Sequence, residues 1–321
     1  MPIHKKFNNF PYETTPINYF SKISEELNVK FWCKRDDFFY MTGSGNKARK
    51  LKYILASAKK NGNNAVVTAG GIQSNHVRAT ALMCAELGWK SIMIIHDKQP
   101  PNTILDGNLK LTNLVGSEIR YVDKNNVSSE MDNAMQELTN QGYNPLYIWG
   151  GGHCAEGSYA YYEAIKEVKN QLTKENYPDY IVLASGTGTT QAGIELGCKV
   201  FLPNCKVIGI SVAREKKRGV AAINDSIIEL GNCLGIDIGS PDSILFDDRW
   251  VGDGYESTYP ELLKTIQWAA KTEGLILDPT YTGKAFHALI KLIENKEITT
   301  NSKVLFWHTG GLLNLMSSQQ I

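Results

Sequence analysis

From about residue 64 the chain repeats one unit: a short β-branched or apolar run, a glycine-containing or polar loop, then a segment of helical periodicity. That alternation leaves few folds open, because strands joined through helices pair in parallel and need both faces of their sheet covered. Ala65-Val66-Val67-Thr68 begins the series, followed by the loop AGGIQSN and a helix over 75–86 that Gly88 terminates. Strands are expected at 91–95, 117–122 and 146–149, with helices near 102–114 and 128–140. A second series opens with the helix of EGSYAYYEAIKEVKNQL and continues with a strand at 180–184, the loop SGTG and a helix over 189–199. It proceeds through a strand at 206–211, a long helical stretch after Arg214, helices near 258–273 and 283–294, and a strand at 303–307. These strands are continuously apolar instead of alternating, the pattern of a parallel sheet buried on both sides.

A length of 321 residues suits two domains at roughly 100 to 200 residues each. Pattern changes place one domain at 1–50 plus 155–321 and a smaller α/β domain at 51–154. With 34 basic against 33 acidic residues and a formal charge of +1, no field exists to gather polyanions, so nucleic acid is not an expected partner. Apolar stretches such as 92–95 and 180–184 are strand-length, far below the roughly 20 residues of a membrane span. The start, MPIHKKFNNFPYETTP, has early lysines but no apolar segment behind them, so secretion is not signalled. The six cysteines lack C-x-x-C spacing and read as reduced thiols in a cytoplasm; the histidines include neither H-x-x-x-H nor H-E-x-x-H, and no metal site is expected.

Three loops stand where open α/β sheets bind ligands, next to a strand end or a helix start. They are SGNKARK at 44–50, AGGIQSNH at 69–76 and SGTGTTQAG at 185–193. In the last, Gly186 and Gly188 let a backbone approach an anion while the helix start supplies free N–H groups and partial positive charge. It matches neither the P-loop nor G-x-G-x-x-G, since position 191 is Gln, and its plainer reading is a tight turn. For SGNKARK the plainer reading is a solvated basic helix start; the sharper one is a nucleophilic lysine whose pKa is depressed by burial or by Arg49 and Lys50 within one turn. For AGGIQSNH a glycine turn with a helix cap competes with a cofactor face carrying Ser74 and Asn75.

Taken in order, K-R-D-D at 34–37, G-N-K-A-R-K-L at 45–51, G-G-I-Q-S-N-H at 70–76, S-G-T-G-T-T at 185–190, Y-T-G-K-A at 281–285 and H-T-G-G at 308–311 resemble one family. It is the fold-type-II pyridoxal-phosphate enzymes, in the branch holding D-cysteine desulfhydrase and 1-aminocyclopropane-1-carboxylate deaminase. The resemblance spans nearly the whole chain and implies a two-domain, three-layer parallel-sheet α/β fold like the tryptophan synthase β-subunit. It also implies pyridoxal 5'-phosphate between the domains, a small amino-acid substrate and a homodimer.

Residue by residue, Lys47 matches the lysine that carries the cofactor and moves protons at the substrate Cα. Asn75 matches the partner of the ring O3' oxygen, and Ser74 the residue that binds the substrate carboxylate or relays protons. Gly186, Thr187, Gly188 and Thr189 match the phosphate cradle, to which Lys50 adds charge. Tyr255 and Tyr281 match two tyrosines on the substrate side, where a base would need a phenol shifted well below its ordinary pKa near 10. In the deaminases Glu follows that second tyrosine and Leu stands within the H-T-G-G match; this sequence has Thr282 and Thr309, expected beside the ring. A weaker electron sink suits β-elimination, so the expected reaction is D-cysteine to pyruvate, hydrogen sulfide and ammonia. The rivals are cyclopropane deamination, a cysteate sulfo-lyase, and a non-catalytic protein whose loops merely hold a phosphate or nucleotide.

Overall fold

The protein is described from a computed structural model, covering residues 14–39, 45–99, 105–238, 244–319 and 321. In chain order its elements are β1 (Ile17–Tyr19), α1 (Ser21–Leu27), β2 (Lys30–Arg35), α2 (Asn46–Lys60), β3 (Ala65–Gly70), α3 (Asn75–Leu87), β4 (Lys90–Ile95), α4 (Gly107–Leu114), β5 (Glu118–Tyr121), α5 (Val127–Asn140) and β6 (Pro145–Ile148). They continue with α6 (Ala155–Gln171), β7 (Tyr180–Ser185), α7 (Thr189–Phe201), β8 (Lys206–Ser211), α8 (Lys216–Leu234), β9 (Leu245–Asp247), α9 (Pro260–Glu273), α10 (Thr282–Glu294), β10 (Lys303–His308) and α11 (Leu312–Met316). Ser44 and residues 102–104, part of expected segments, lie outside the described residues.

Two sheets organise these elements. One has six strands in the order β1-β2-β10-β7-β8-β9, parallel except for β1, and the other four parallel strands in the order β5-β4-β3-β6. Strand alternation explains why both faces are apolar. Ile181, Leu183, Leu305 and Trp307 pack with Ala164, Ile165 and Ile194 of α6 and α7, while Val182, Ala184, Val304 and Phe306 pack with Ile266, Phe286 and Leu289 of α9 and α10. In the smaller sheet Val66 joins Leu51, Leu55 and Met83 of α2 and α3, and Val67 joins Met131 and Leu138 of α5 on the opposite face.

The division at 50/51 falls inside α2, whose Leu51 and Leu55 sit under the small sheet, whereas 154/155 falls at the start of α6. Hydrophobic period alone did not announce β1, α1, β2, β9 or α11. All are short, and β2 enters the large sheet only through a long-range register that sets Phe31 opposite Val304. What matters for function is that β3, β7 and β10 end at Gly70, Ser185 and His308, so their loops and the starts of α3, α7 and α11 share the carboxyl edges of the sheets. The start of α2 joins them, with Asn46 N donating to Thr309 O at 3.0 Å. Gly45 makes this approach with φ +86°, and a Cβ there would run into the Thr309 carbonyl.

Candidate active site

Lys47 lies on the first turn of α2 and borders both an inner and an outer cavity. Desolvation lowers its ammonium pKa from 10.5 to about 8. Lys50, one turn further and buried, donates to Gly151 O at 3.2 Å; burial and then the Lys47 charge push its pKa well down. Arg49 corrects the expectation from sequence, because it does not act on Lys47. Its Nε and Nη2 donate to Asp36 at 2.9 and 2.7 Å and its Nη1 to Glu167 at 2.8 Å. Asp36 also accepts from Thr15 Oγ1, Tyr161 OH and Trp307 Nε1, so it joins α2 to α6 and β10 behind the cavity.

The S-G-T-G loop faces the two lysines. Gly188 caps α7 in the left-handed region at φ +93° with no side-chain cap, which leaves the first-turn N–H groups for a ligand. Ser185, Gly186, Thr187, Gly188 and Thr190 border the inner cavity. Thr189 does not: its side chain is buried and its hydroxyl pairs with His153 Nδ1 at 2.7 Å, so its contribution is a backbone N–H. Gly151 completes the approach, since a Cβ on it would stand 2.9 Å from Thr187 Cγ2 and 3.5 Å from Lys47 Nζ.

Asn75 borders the inner cavity, and its Oδ1 accepts from Arg78 Nη1 at 3.2 Å, which turns its amide N–H groups the other way. Ser74 caps α3, its Oγ accepting from Val77 N at 3.3 Å, and also borders the outer cavity, so the structural and functional readings of this serine coexist. Tyr255 and Tyr281 meet there through a hydrogen bond between their hydroxyls. Desolvation raises the Tyr281 phenol well above 10 and raises that of Tyr255 as well, though the Tyr255 side chain is 44% exposed, so both stay protonated near neutrality and neither is prepared as a base.

Thr309 borders the inner cavity, but Thr282 borders neither, contrary to the expectation that it lies beside the ring. The Thr282 hydroxyl accepts from Asp278 N at 2.9 Å and donates to Asp278 Oδ1 at 2.7 Å. That buried carboxylate also accepts from the N–H groups of Thr280, Tyr281 and Thr282, so it shapes the turn that presents Tyr281. Sequence reasoning passed over Asp278, although Asp-Pro-Thr-Tyr before a helix is a turn signal. It also passed over Asn46, Ser185, Thr190 and Arg214, whose Nη1 donates to Thr187 O at 3.1 Å at the outer cavity.

The donor set fits pyridoxal phosphate. It offers an amine with a lowered pKa for the aldehyde, an uncapped helix start among small residues for the phosphate, and a buried Ser185 hydroxyl without a protein partner at the cavity wall. Among the described residues, no cluster of three or more His, Cys, Asp or Glu could hold a metal, and no helix is long and apolar enough to cross a membrane.

The family model of pyridoxal-phosphate dependent enzymes matches residues 9–310. A Klebsiella pneumoniae protein named D-cysteine desulfhydrase is 33% identical over 304 residues, which are 92% of this chain and 91% of its own. A Thermotoga maritima protein provisionally named 1-aminocyclopropane-1-carboxylate deaminase is 33% identical over 309 residues, 95% of this chain and 96% of its own. A crystal structure described as that of an ACC deaminase homologue superimposes with a TM-score of 0.87 at 31% identity, covering 98% of this chain and 95% of the other.

Proposed function

This chain belongs to the pyridoxal-phosphate dependent enzymes and has their fold-type-II architecture, and from that premise we propose that it is a lyase converting D-cysteine and water to pyruvate, hydrogen sulfide and ammonia. The observation that carries the substrate choice is the inner cavity wall, where Thr309 stands with Lys47 and no carboxylate among the described residues. Asp278, the carboxylate of the neighbouring turn, is committed to four donors. The name of the Klebsiella relative supports the same choice.

Bound pyridoxal phosphate supplies an electron sink that acidifies the Cα–H of an amino acid. Lys47 would hold the cofactor, and its amine, whose pKa desolvation lowers from 10.5 toward neutrality, would take the Cα proton once released. The first-turn N–H groups after Gly188, with Thr187 and Thr190, would bind the phosphate, whose negative charge would favour the protonated form of Lys50 against the burial that lowers its pKa. Asn75 would present N–H groups to the ring oxygen, Thr309 would offer the ring only a neutral hydroxyl, and Ser74 would bind the substrate carboxylate. Tyr255 and Tyr281, held protonated, would orient the β-substituent through hydrogen bonds from their hydroxyls. The two sheets support a cofactor domain of 1–50 plus 155–321 and a small domain of 51–154. The family resemblance and free cysteines support a cytoplasmic homodimer.

The test is a panel of D- and L-amino acids with sulfide, pyruvate and ketobutyrate detection. Sulfide from D-cysteine should exceed ketobutyrate from the cyclopropane acid by at least tenfold in kcat/KM; comparable values, or a preference for cysteate, would remove the substrate assignment.

A further inference from the structure

Lys284, on the first turn of α10, is 0% exposed, and its Nζ donates to the carbonyls of Val251, Gly254 and Tyr255 at 2.7, 2.9 and 3.2 Å. Three N–H groups meet three carbonyls, which uses every donor an ammonium has. All three acceptors fall in residues 251–255, within the connection from β9 to α9, so the bonds tie that loop to a different element. Tyr255 ends the stretch, and Tyr281, three residues before Lys284, is its partner. Their rings meet edge-on at 5.8 Å and their hydroxyls are hydrogen-bonded. Bonds within the loop, Asp253 N to Ser257 Oγ and Ser257 N to Gly254 O, shape the turn but do not fix it to the body of the protein. A side chain that only filled this space would be apolar, since a buried ammonium is costly unless its donors are used.

We propose that Lys284 is a positioning residue for the reaction: through the three carbonyls of residues 251–255 it holds Tyr255 against Tyr281 and so sets the substrate side of the outer cavity. This rests on the reading above that the two tyrosines face the substrate. Misplacing a substrate-orienting group by about 1 Å can cost up to about 100-fold in rate. The lysine therefore lies in the K of Y-T-G-K for a reason separate from the tyrosine that precedes it.

The experiment uses cofactor-loaded enzyme carrying Lys284→Met or Lys284→Gln, each alone and combined with Tyr255→Phe. Cofactor absorbance, kcat, KM and chymotryptic cleavage at Tyr255 are followed. The expected result is unchanged cofactor content, kcat lower by about 10- to 100-fold, and cleavage at Tyr255 at least about fivefold faster as the loop opens locally. In the Tyr255→Phe background the lysine replacement should cost no more than about twofold, because coupled residues are non-additive. Fully additive losses, or wild-type kcat and cleavage in the lysine variants, would overturn the proposal while leaving the function reading intact. Failure of both variants to fold with cofactor would overturn it in favour of a folding role. Wild-type kinetics in Tyr255→Phe alone would instead remove the reading of Tyr255 as a substrate-facing residue, and the positioning role with it.

Discussion

Replacing Lys47 by Met should abolish turnover and yet make the cofactor-free protein more stable. Met keeps an unbranched side chain of similar length, so the substitution removes a charge without opening a large void. In the fold, desolvation holds the Lys47 pKa at about 8 against an ordinary value of 10.5. At about 1.4 kcal/mol per pH unit, that displacement corresponds to roughly 3 kcal/mol of destabilisation at neutral pH. The figure is an upper bound, because Lys47 keeps partial solvent access. The folded pKa is the lower one, so the folded chain binds fewer protons and the wild type gains stability as pH rises from about 8 to 10.5. Relief of Lys50, which the Lys47 charge also depresses, adds to the gain of the variant. Urea unfolding of both cofactor-free proteins should show the variant ahead by about 2 to 3 kcal/mol at pH 7, with the difference disappearing near pH 10.5. A variant no more stable than the wild type at pH 7, or an advantage independent of pH, would refute desolvation as the source of the lowered pKa. Borohydride reduction and peptide mapping of the loaded wild type should label Lys47 and no other lysine.

Gly188→Asp sets a carboxylate at the helix start and a Cβ 2.9 Å from Ile223 Cγ1 at φ +93°; cofactor Kd should rise at least about tenfold in a fluorescence titration, from backbone strain and charge repulsion together. Thr282→Val removes one donor and one acceptor of the Asp278 turn and should cost about 1 to 3 kcal/mol in urea unfolding. Thr309→Leu, by contrast, should shift the cofactor absorbance with little loss of stability, since Thr309 borders the cavity. Asp36→Asn should destabilise by up to about 3 kcal/mol at pH 7, because it leaves buried Arg49 with Glu167 as its one remaining carboxylate. Burial opposes ionisation of Asp36, but Arg49 and Lys34 outweigh it and hold the carboxyl below 3.8; that contribution is present above this value, and the difference between variant and wild type should narrow as the pH falls through it.

The parts of the fold that sequence disclosed are those where a local pattern carries the constraint. The runs at 65–70, 180–185 and 303–308 are apolar without alternation because helices cover both faces, and that much can be read residue by residue. The glycine loops were legible for a similar reason, as strand ends followed by helix starts. Asp36 was not: its partners Arg49, Tyr161 and Trp307 are 13, 125 and 271 positions away, and an acidic residue in K-R-D-D reads locally as a solvated charge. Thr282 was misplaced for a related reason. Its position beside Tyr281 led to an expected ring contact, whereas the first turn of α10 directs its hydroxyl to Asp278, four residues earlier.

The segment Lys47-Ala48-Arg49-Lys50 shows how helix geometry assigns different work to similar charges. At 3.6 residues per turn, positions 47 and 50 fall on nearly the same face of α2 while 49 falls on the other side. The first face meets the S-G-T-G loop, where no carboxylate is offered, and its two amines lose hydration without a counter-charge; both pKa values fall. The second face meets Asp36 and Glu167, and although burial works against its charge the Arg49 pKa rises. Exchanging the types would fail on both sides. An arginine at 47 keeps its proton at any working pH and cannot serve as a nucleophile, and a lysine at 49 offers three donors from one atom where a planar fork now reaches two carboxylates and Thr15. The order K-x-R-K is thus fixed by two faces with opposite electrostatic demands, one that must release a proton and one that must retain it.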